Sequence, residues 1–248
     1  MRPKAGAFGQ GRLETLSLSG LSFPEHQRRF MSGRDDAWRG PTEFETIAHA
    51  NKPFSLRVPA LMVTRGKDGT LNIMLCMWFT PMGAEPSSFL IAVDRKTKSY
   101  ELLLETKEFV IAAPEESMLD IAVYAGSVSG YTEDKWRASG LTPLRARFVN
   151  VPLVSEALAN VEFEIARMLP FDHKYDLVVG LVRACHVKSA HFRHGIYLEG
   201  ATPLLWLGKE SGVTRTDKAA TSHAAGLGRT WMADHDSPLL RRIPKRQP

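Results

Sequence analysis

Asp94-Arg95-Lys96-Thr97-Lys98-Ser99-Tyr100 places three cations and the two aliphatic hydroxyls of Thr97 and Ser99 between an apolar run and a stretch that favours a helix. The first N–H groups of a helix have no intrahelical partner and carry a partial positive charge. A phosphate seated there gains amide donors together with Arg and Lys. The same residues also read as a solvated basic turn, and spacing alone leaves both readings open.

Other chemistries find little support. There is no GxGxxG or GxxxxGK[ST] pattern, and the stretch from Gly126 to Gly130 (GSVSG) lacks the dinucleotide spacing, which argues against a P-loop or a doubly wound nucleotide fold. No GxSxG elbow is present, and neither Cys76 nor Cys185 lies in a nucleophile motif, so acyl transfer has no candidate. His186, His191 and His194 are not spaced as a zinc set and no HExxH occurs, so they read as ordinary surface or core histidines.

The frame around these residues is read from texture. With 248 residues, 44% hydrophobic and 24% charged, the chain can bury a sizeable core. Residues 1–50 show no sustained period and read as an extended arm; 51–210 read as the folded domain; 211–248 read as a polar, basic and poorly packed tail. No run approaches the roughly 20 apolar residues of a membrane span and the start lacks a secretory apolar core, so a soluble cytoplasmic protein without membrane contact is expected. Both cysteines sit in apolar runs and are expected to be buried thiols in a reducing compartment. The net charge of +5 owes much to the ends, in Arg28, Arg29, Arg34, Arg241, Arg242, Lys245 and Arg246, which points to solvated termini and not to a nucleic-acid face.

Strands dominate the domain. The runs 58–64 and 71–80 flank an Asp68-Gly69 turn and predict a hairpin. In the second run Leu71, Ile73, Leu75, Met77 and Phe79 share one face and Asn72, Met74, Cys76, Trp78 and Thr80 the other, a mixed face suited to covering a ligand or a second subunit. Further strands are expected at 88–93, 109–113, 161–168 and 175–187; Glu162 and Glu164 alternate with Val161, Phe163 and Ile165 as on a sheet with one wet face. Two helices are expected, one at 100–106 capped by Ser99, the other carrying Met118, Ile121, Ala122 and Ala125 on one side and closing at Gly126.

Several short motifs then fall in a telling order. They are Pro59 to Thr64 (PALMVT), Asp68 to Asn72 (DGTLN), Cys76 to Pro81 (CMWFTP), Arg95 to Tyr100 (RKTKSY), Glu108 to Pro114 (EFVIAAP), Ser129-Gly130, Asp134-Lys135-Trp136, Gly140-Leu141, Glu156-Ala157, Asn160 to Phe163 (NVEF), Asp172-His173 and Gly180 to Val182 (GLV). Each is short and degenerate, but their joint order over 53–207 resembles the flavin reductase-like, FMN-binding split-barrel family. The resemblance implies a mainly β fold, a six-stranded antiparallel Greek-key split barrel with a few short helices, usually a homodimer with FMN near the subunit interface. It also implies site residues: Asn72 and Leu75, Cys76, Met77 and Trp78 along the strand and loop whose backbone faces the flavin ring, Arg95, Lys98 and Ser99 at its phosphate, and His173 near a nicotinamide. Cys76 stands where the family often has Ser or Thr, so a hydroxyl contact to the ring is lost while backbone contacts survive.

The resemblance implies an oxidoreductase in which NAD(P)H passes hydride to FMN and the electrons go on to a second acceptor, such as an acceptor protein or a monooxygenase component. The lack of a recognisable catalytic acid or nucleophile motif suits this, because a flavin carries the chemistry itself and the protein binds and orients it. The alternative on the same fold is a non-enzymatic FMN electron carrier or flavin-storage dimer. A basic nucleic-acid-binding barrel, which would be colourless and bind in a salt-dependent way, ranks below both.

Overall fold

The computed structural model describes residues 58–193, 196–198, 200–209, 222–226, 229–232, 237–239 and 242, so the expected N-terminal arm lies outside the described residues. In chain order the elements are β1 (Ala60–Arg65), β2 (Leu71–Cys76), β3 (Phe79–Ala84), β4 (Ser87–Asp94), α1 (Lys98–Thr106), β5 (Glu108–Ala113), a 3₁₀ turn (Glu116–Met118), α2 (Leu119–Ser127) and α3 (Lys135–Ser139). They continue with the short pair β6 (Pro143–Leu144) and β7 (Leu153–Val154), the long strands β8 (Ala159–Pro170) and β9 (Tyr175–Val187), then β10 (Phe192–Arg193), β11 (Ile196–Tyr197), β12 (Leu205–Lys209), β13 (Ser222–Gly226) and β14 (Arg229–Met232).

One antiparallel seven-stranded sheet dominates, in the order β2-β1-β5-β8-β9-β4-β3. β2 and β3 are its opposite edges, yet only Met77 and Trp78 separate them in the chain. Such a sheet must curl until its two edges meet, which makes it a barrel. Cys76 still pairs with Ala60 while Phe79 already pairs with Ile91, and Ala92 N–H donates to Trp78 O at 2.9 Å.

The expected hairpin forms, with β1 and β2 in register from Ala60↔Cys76 to Arg65↔Leu71. The single strand expected at 71–80 is instead two strands on two edges, which raises the count from the expected six to seven. Period-two alternation runs unbroken through the crossing and so could not reveal it.

The sheet has apolar material on both sides. Ala60, Met62, Cys76, Ile91, Val93, Phe109, Ile111, Phe163 and Val178 fill one cluster, with Leu103 of α1 laid into it. Leu61, Val63, Ile73, Val110 and Ala112 face a second cluster beneath α2 and the segment 141–158. Strands buried on both faces read as continuous apolar runs, as in ALMV and FVIAA. The expected mixed face of β2 is therefore core at Met74 and Cys76, not ligand cover.

In the first cluster Phe109 stacks on Phe163 with centroids 4.7 Å apart, and Phe89 meets Phe163 edge-on at 5.2 Å. Gly180 of β9 sits directly against this pair: a Cβ there would lie 2.7 Å from Phe109 Cζ and 3.0 Å from Phe163 Cδ1.

Other expectations need correction. Ser99 is not the cap of α1; Thr97 is, its Oγ1 accepting from Tyr100 N–H at 3.2 Å, and Ser99 lies buried inside the helix. α2 runs past Gly126 to Ser127, since Gly126 serves close packing on Leu75 and not closure. Glu162 does not face water: it is fully buried because residues 147–149 lie over it. Cys185 is exposed on β9, where alternation turns it outward, while Cys76 is buried as expected. Within the stretch expected to be a poorly packed tail, β13 pairs with both β12 and β14, Leu239 packs on the second cluster, and Arg242 pairs with Glu133. Among the described residues no helix is long and apolar enough to cross a membrane.

Candidate functional site

The turn after β4 is built by Asp94, whose Oδ1 accepts from Lys96 N–H at 2.9 Å and whose carbonyl accepts from Thr97 Oγ1 at 2.8 Å. This fixes the start of α1, and two groups of expected site residues converge on it from either side.

On one side, Asn72 of β2 donates through Nδ2 to Ser99 Oγ at 2.8 Å, and both side chains are buried. Lys98 stands beside them, its ammonium 2.5 Å from Glu101 Oε1 and 5.5 Å from the centre of the Tyr131 ring. Gly130 presses in so closely that a Cβ would collide with Asn72 Oδ1 and come within 3.1 Å of Lys98 Cβ. A cleft of about 550 Å³ opens here, lined by Lys98, Gly130, Tyr131 and Trp136 and by the Gly69-Thr70-Leu71 end of the hairpin turn.

On the other side, Arg95 donates through Nε to Asp176 Oδ1 at 2.6 Å, and Tyr100 OH donates to Asp176 Oδ2 at 2.6 Å. The hydrogen bond to the Asp176 carboxylate raises the Arg95 guanidinium above its ordinary pKa. Trp78, 50% exposed, stacks on Tyr175 at 5.8 Å with the planes 7° apart, and Lys174 Nζ lies 4.8 Å from the Tyr175 ring centre. His173 is exposed in the preceding turn, where Asp172 accepts from Lys174 N–H and Tyr175 N–H.

The structure thus brings together Asn72, Lys98 and Ser99, and separately Trp78 and Arg95, on two flanks of one helix start. It assigns different work to some of them. Arg95 is held by a buried carboxylate, so its positive charge is already answered. Leu75 packs toward α2, and Cys76 points into the barrel, where burial pushes its thiol up to about 12 although Trp78 N–H hydrogen-bonds to the sulfur. Met77 is half-buried at the crossing. Tyr175, Asp176, Tyr131 and Glu101 were not singled out from sequence. Tyr175-Asp176 did carry a signal, since a carboxylate opening an apolar strand requires a buried partner; Tyr131 and Glu101 carried none.

Lys135, expected only as part of a motif, is buried with Nζ donating to Ala125 O at 3.0 Å at the end of α2, and burial lowers its pKa to about 8. It ties the loop carrying Tyr131 to the domain.

A family model described as the flavin reductase like domain matches residues 55–213. An uncharacterized protein of Pyrococcus abyssi is 33% identical over 135 residues, covering 54% of this chain and 76% of its own length. The uncharacterized protein YddH of Escherichia coli is 30% identical over 158 residues, covering 63% and 76%. Among solved structures, an FMN-binding protein from Thermus thermophilus with bound 1-cyclohex-2-enone superposes with a TM-score of 0.60 at 22% identity, over 81% of this chain and 98% of that one. The nitrilotriacetate monooxygenase component B of Bacillus cereus gives 0.58 at 19% identity, over 79% and 96%. At these identities the structures speak for the fold, a split barrel, and the sequence match speaks for the family. The chain belongs to the flavin reductase-like domain family.

Proposed function

We propose that the protein is an FMN-binding oxidoreductase in which NADH or NADPH delivers hydride to the flavin and a second acceptor takes the electrons. The observation that carries this reading is the convergence of Lys98, Asn72 and Ser99 on the start of α1, beside an open cleft, within a flavin reductase-like domain. The donor set suits a phosphate monoester: an ammonium that is only partly exposed, and the main-chain N–H groups of Lys98 and Ser99 in the first helical turn. Ser99 takes part through its main chain, because its hydroxyl is buried against Asn72. Arg95 acts one step back, holding the turn to β9 through Asp176.

When bound, the isoalloxazine supplies the hydride and electron chemistry. The chain's own work is to hold and align: the edge backbone of β2 along the ring, the Trp78–Tyr175 stack as a flat aromatic wall, and His173 at the mouth for the nicotinamide. In this reading the protein works in the cytoplasm as a homodimer, and its electrons pass to an acceptor protein or a monooxygenase component. Exposed Met82 of β3 and exposed Leu169 and Phe171 near the β8–β9 turn supply apolar surface for a subunit contact.

The test is an absorbance spectrum of the purified chain after FMN is added and the excess removed, followed by anaerobic NADH and then NADPH. A retained flavin band that bleaches with one nucleotide is the expected result and names the donor. A band that persists with both would establish the electron-carrier alternative. Lys98→Ala should weaken FMN binding about tenfold, ~1.4 kcal/mol, measured by flavin fluorescence quenching. Unchanged affinity would remove Lys98 from the phosphate site.

A further inference from the structure

Lys98, a cation at the start of α1 that lines the cleft, is not idle. Its Nζ lies 2.5 Å from Glu101 Oε1, one turn along the same helix. The other oxygen, Glu101 Oε2, accepts from Tyr131 OH at 3.0 Å, and Tyr131 OH also reaches Thr97 O at 3.4 Å. Glu101 is therefore held from two elements: by the ammonium on its own helix and by the phenol of the loop that Gly130 presses against Asn72. That loop is itself anchored, through Glu133 to Arg242 and through buried Lys135 to Ala125 O. An ordinary pair on a helix surface has neither the second donor nor the anchored loop.

We infer that Glu101 is an internal anion that occupies the Lys98 ammonium and must yield it when the phosphate of a flavin mononucleotide binds, so that Glu101 sets how readily flavin exchanges. This rests on the FMN reading above and extends it to a residue that regulates the same site. The geometry favours exchange over permanent binding. A phosphate arriving at Lys98 meets a carboxylate already on the donor, gaining only the difference between two charge-assisted contacts. Glu101 is 44% exposed at its side chain, so it can turn to water when displaced, whereas Lys98, at 21%, stays in place. Neighbouring charges do not reverse the sign: Asp68 and Glu105, with Glu133 and Asp134 of the cleft lining, add negative potential that weighs on any anion there, phosphate included, in the wild type and in a Glu101 variant alike. A flavin without phosphate has no quarrel with Glu101. The predicted signature is thus a change in FMN affinity that riboflavin does not share.

The experiment titrates the full chain with FMN and with riboflavin, following flavin fluorescence, for the wild type and for Glu101→Gln, Lys98→Ala and the double variant. Glu101→Gln should bind FMN about fivefold more tightly, with faster association and slower release, while riboflavin moves by less than about twofold. In the Lys98→Ala background the same change should shrink to less than about twofold, because the contested donor is gone. Thermal melts of all four proteins check that the helix is intact. FMN affinity unchanged in Glu101→Gln, in a wild type that prefers FMN over riboflavin, overturns the inference and leaves the FMN reading standing. An equal gain for both flavins overturns it too, since phosphate would not be the competitor. A wild type that binds neither flavin overturns the FMN reading and the inference with it.

Discussion

Glu162→Ala should lower the stability of the domain by about 3 kcal/mol, read as the shift in a denaturant midpoint at constant slope. Glu162 is fully buried, and its carboxylate accepts from the N–H groups of Arg147 at 2.8 Å, Phe148 at 2.7 Å and Val149 at 3.1 Å, with His186 Nε2 at 2.6 Å. Three successive amides around one anion make a concave cradle. Removing the anion strands the buried Val149 N–H, while the exposed Arg147 and Phe148 recover water, so the loss stays below the full sum of the bonds. The sign of the pH dependence follows. Burial pushes the Glu162 carboxyl up, but the bonds from Arg147, His186, Phe148 and Val149 outweigh it and leave the group below its ordinary 4.5. A depressed folded pKa stabilises above the unfolded value, and that stability fades as pH falls below about 4.5 toward the folded pKa. The gap between wild type and Glu162→Ala should therefore narrow as pH falls below about 4.5. A gap that widened on acidification would contradict the cradle.

Gly180→Ala should cost about 2 kcal/mol, because the added methyl would drive into Phe109 Cζ and Phe163 Cδ1 at the centre of the interior aromatic group. The smaller unfolded-state entropy of alanine offsets only part of this. Phe109→Leu in the same chain should restore a portion of the loss, since it withdraws the atom that the methyl strikes; additive losses in the double variant would show that the strain lies elsewhere.

Much of this arrangement was legible before any coordinates, and the parts that were not share a cause. Local chemistry spoke clearly: Asp68-Gly69 marked the β1–β2 turn, continuous apolar runs marked β1 and β5, and the limits of β9 were read to the residue. What failed depended on a partner far away in sequence. Glu162 looked wet because alternation cannot know that residues 147–149 fold over it. Arg95 looked available for phosphate because nothing near it announces Asp176, which is 81 positions on. Ser99 looked like a cap because Thr97, Ser99 and Asn72 compete for the same few bonds, and only the fold decides which pairs form.

The two-residue link between the sheet's opposite edges has a consequence for how closure is achieved. Most barrels bring their first and last strands together across a long chain and lose loop entropy in doing so; here the edges are tethered at Met77 and Trp78 and arrive at high effective concentration. The zipper of the barrel and the aromatic wall of the proposed flavin site are the same few residues, since Trp78 both accepts the closing bond from Ala92 and stacks on Tyr175. A ligand that steadied Trp78 would therefore also fasten the barrel.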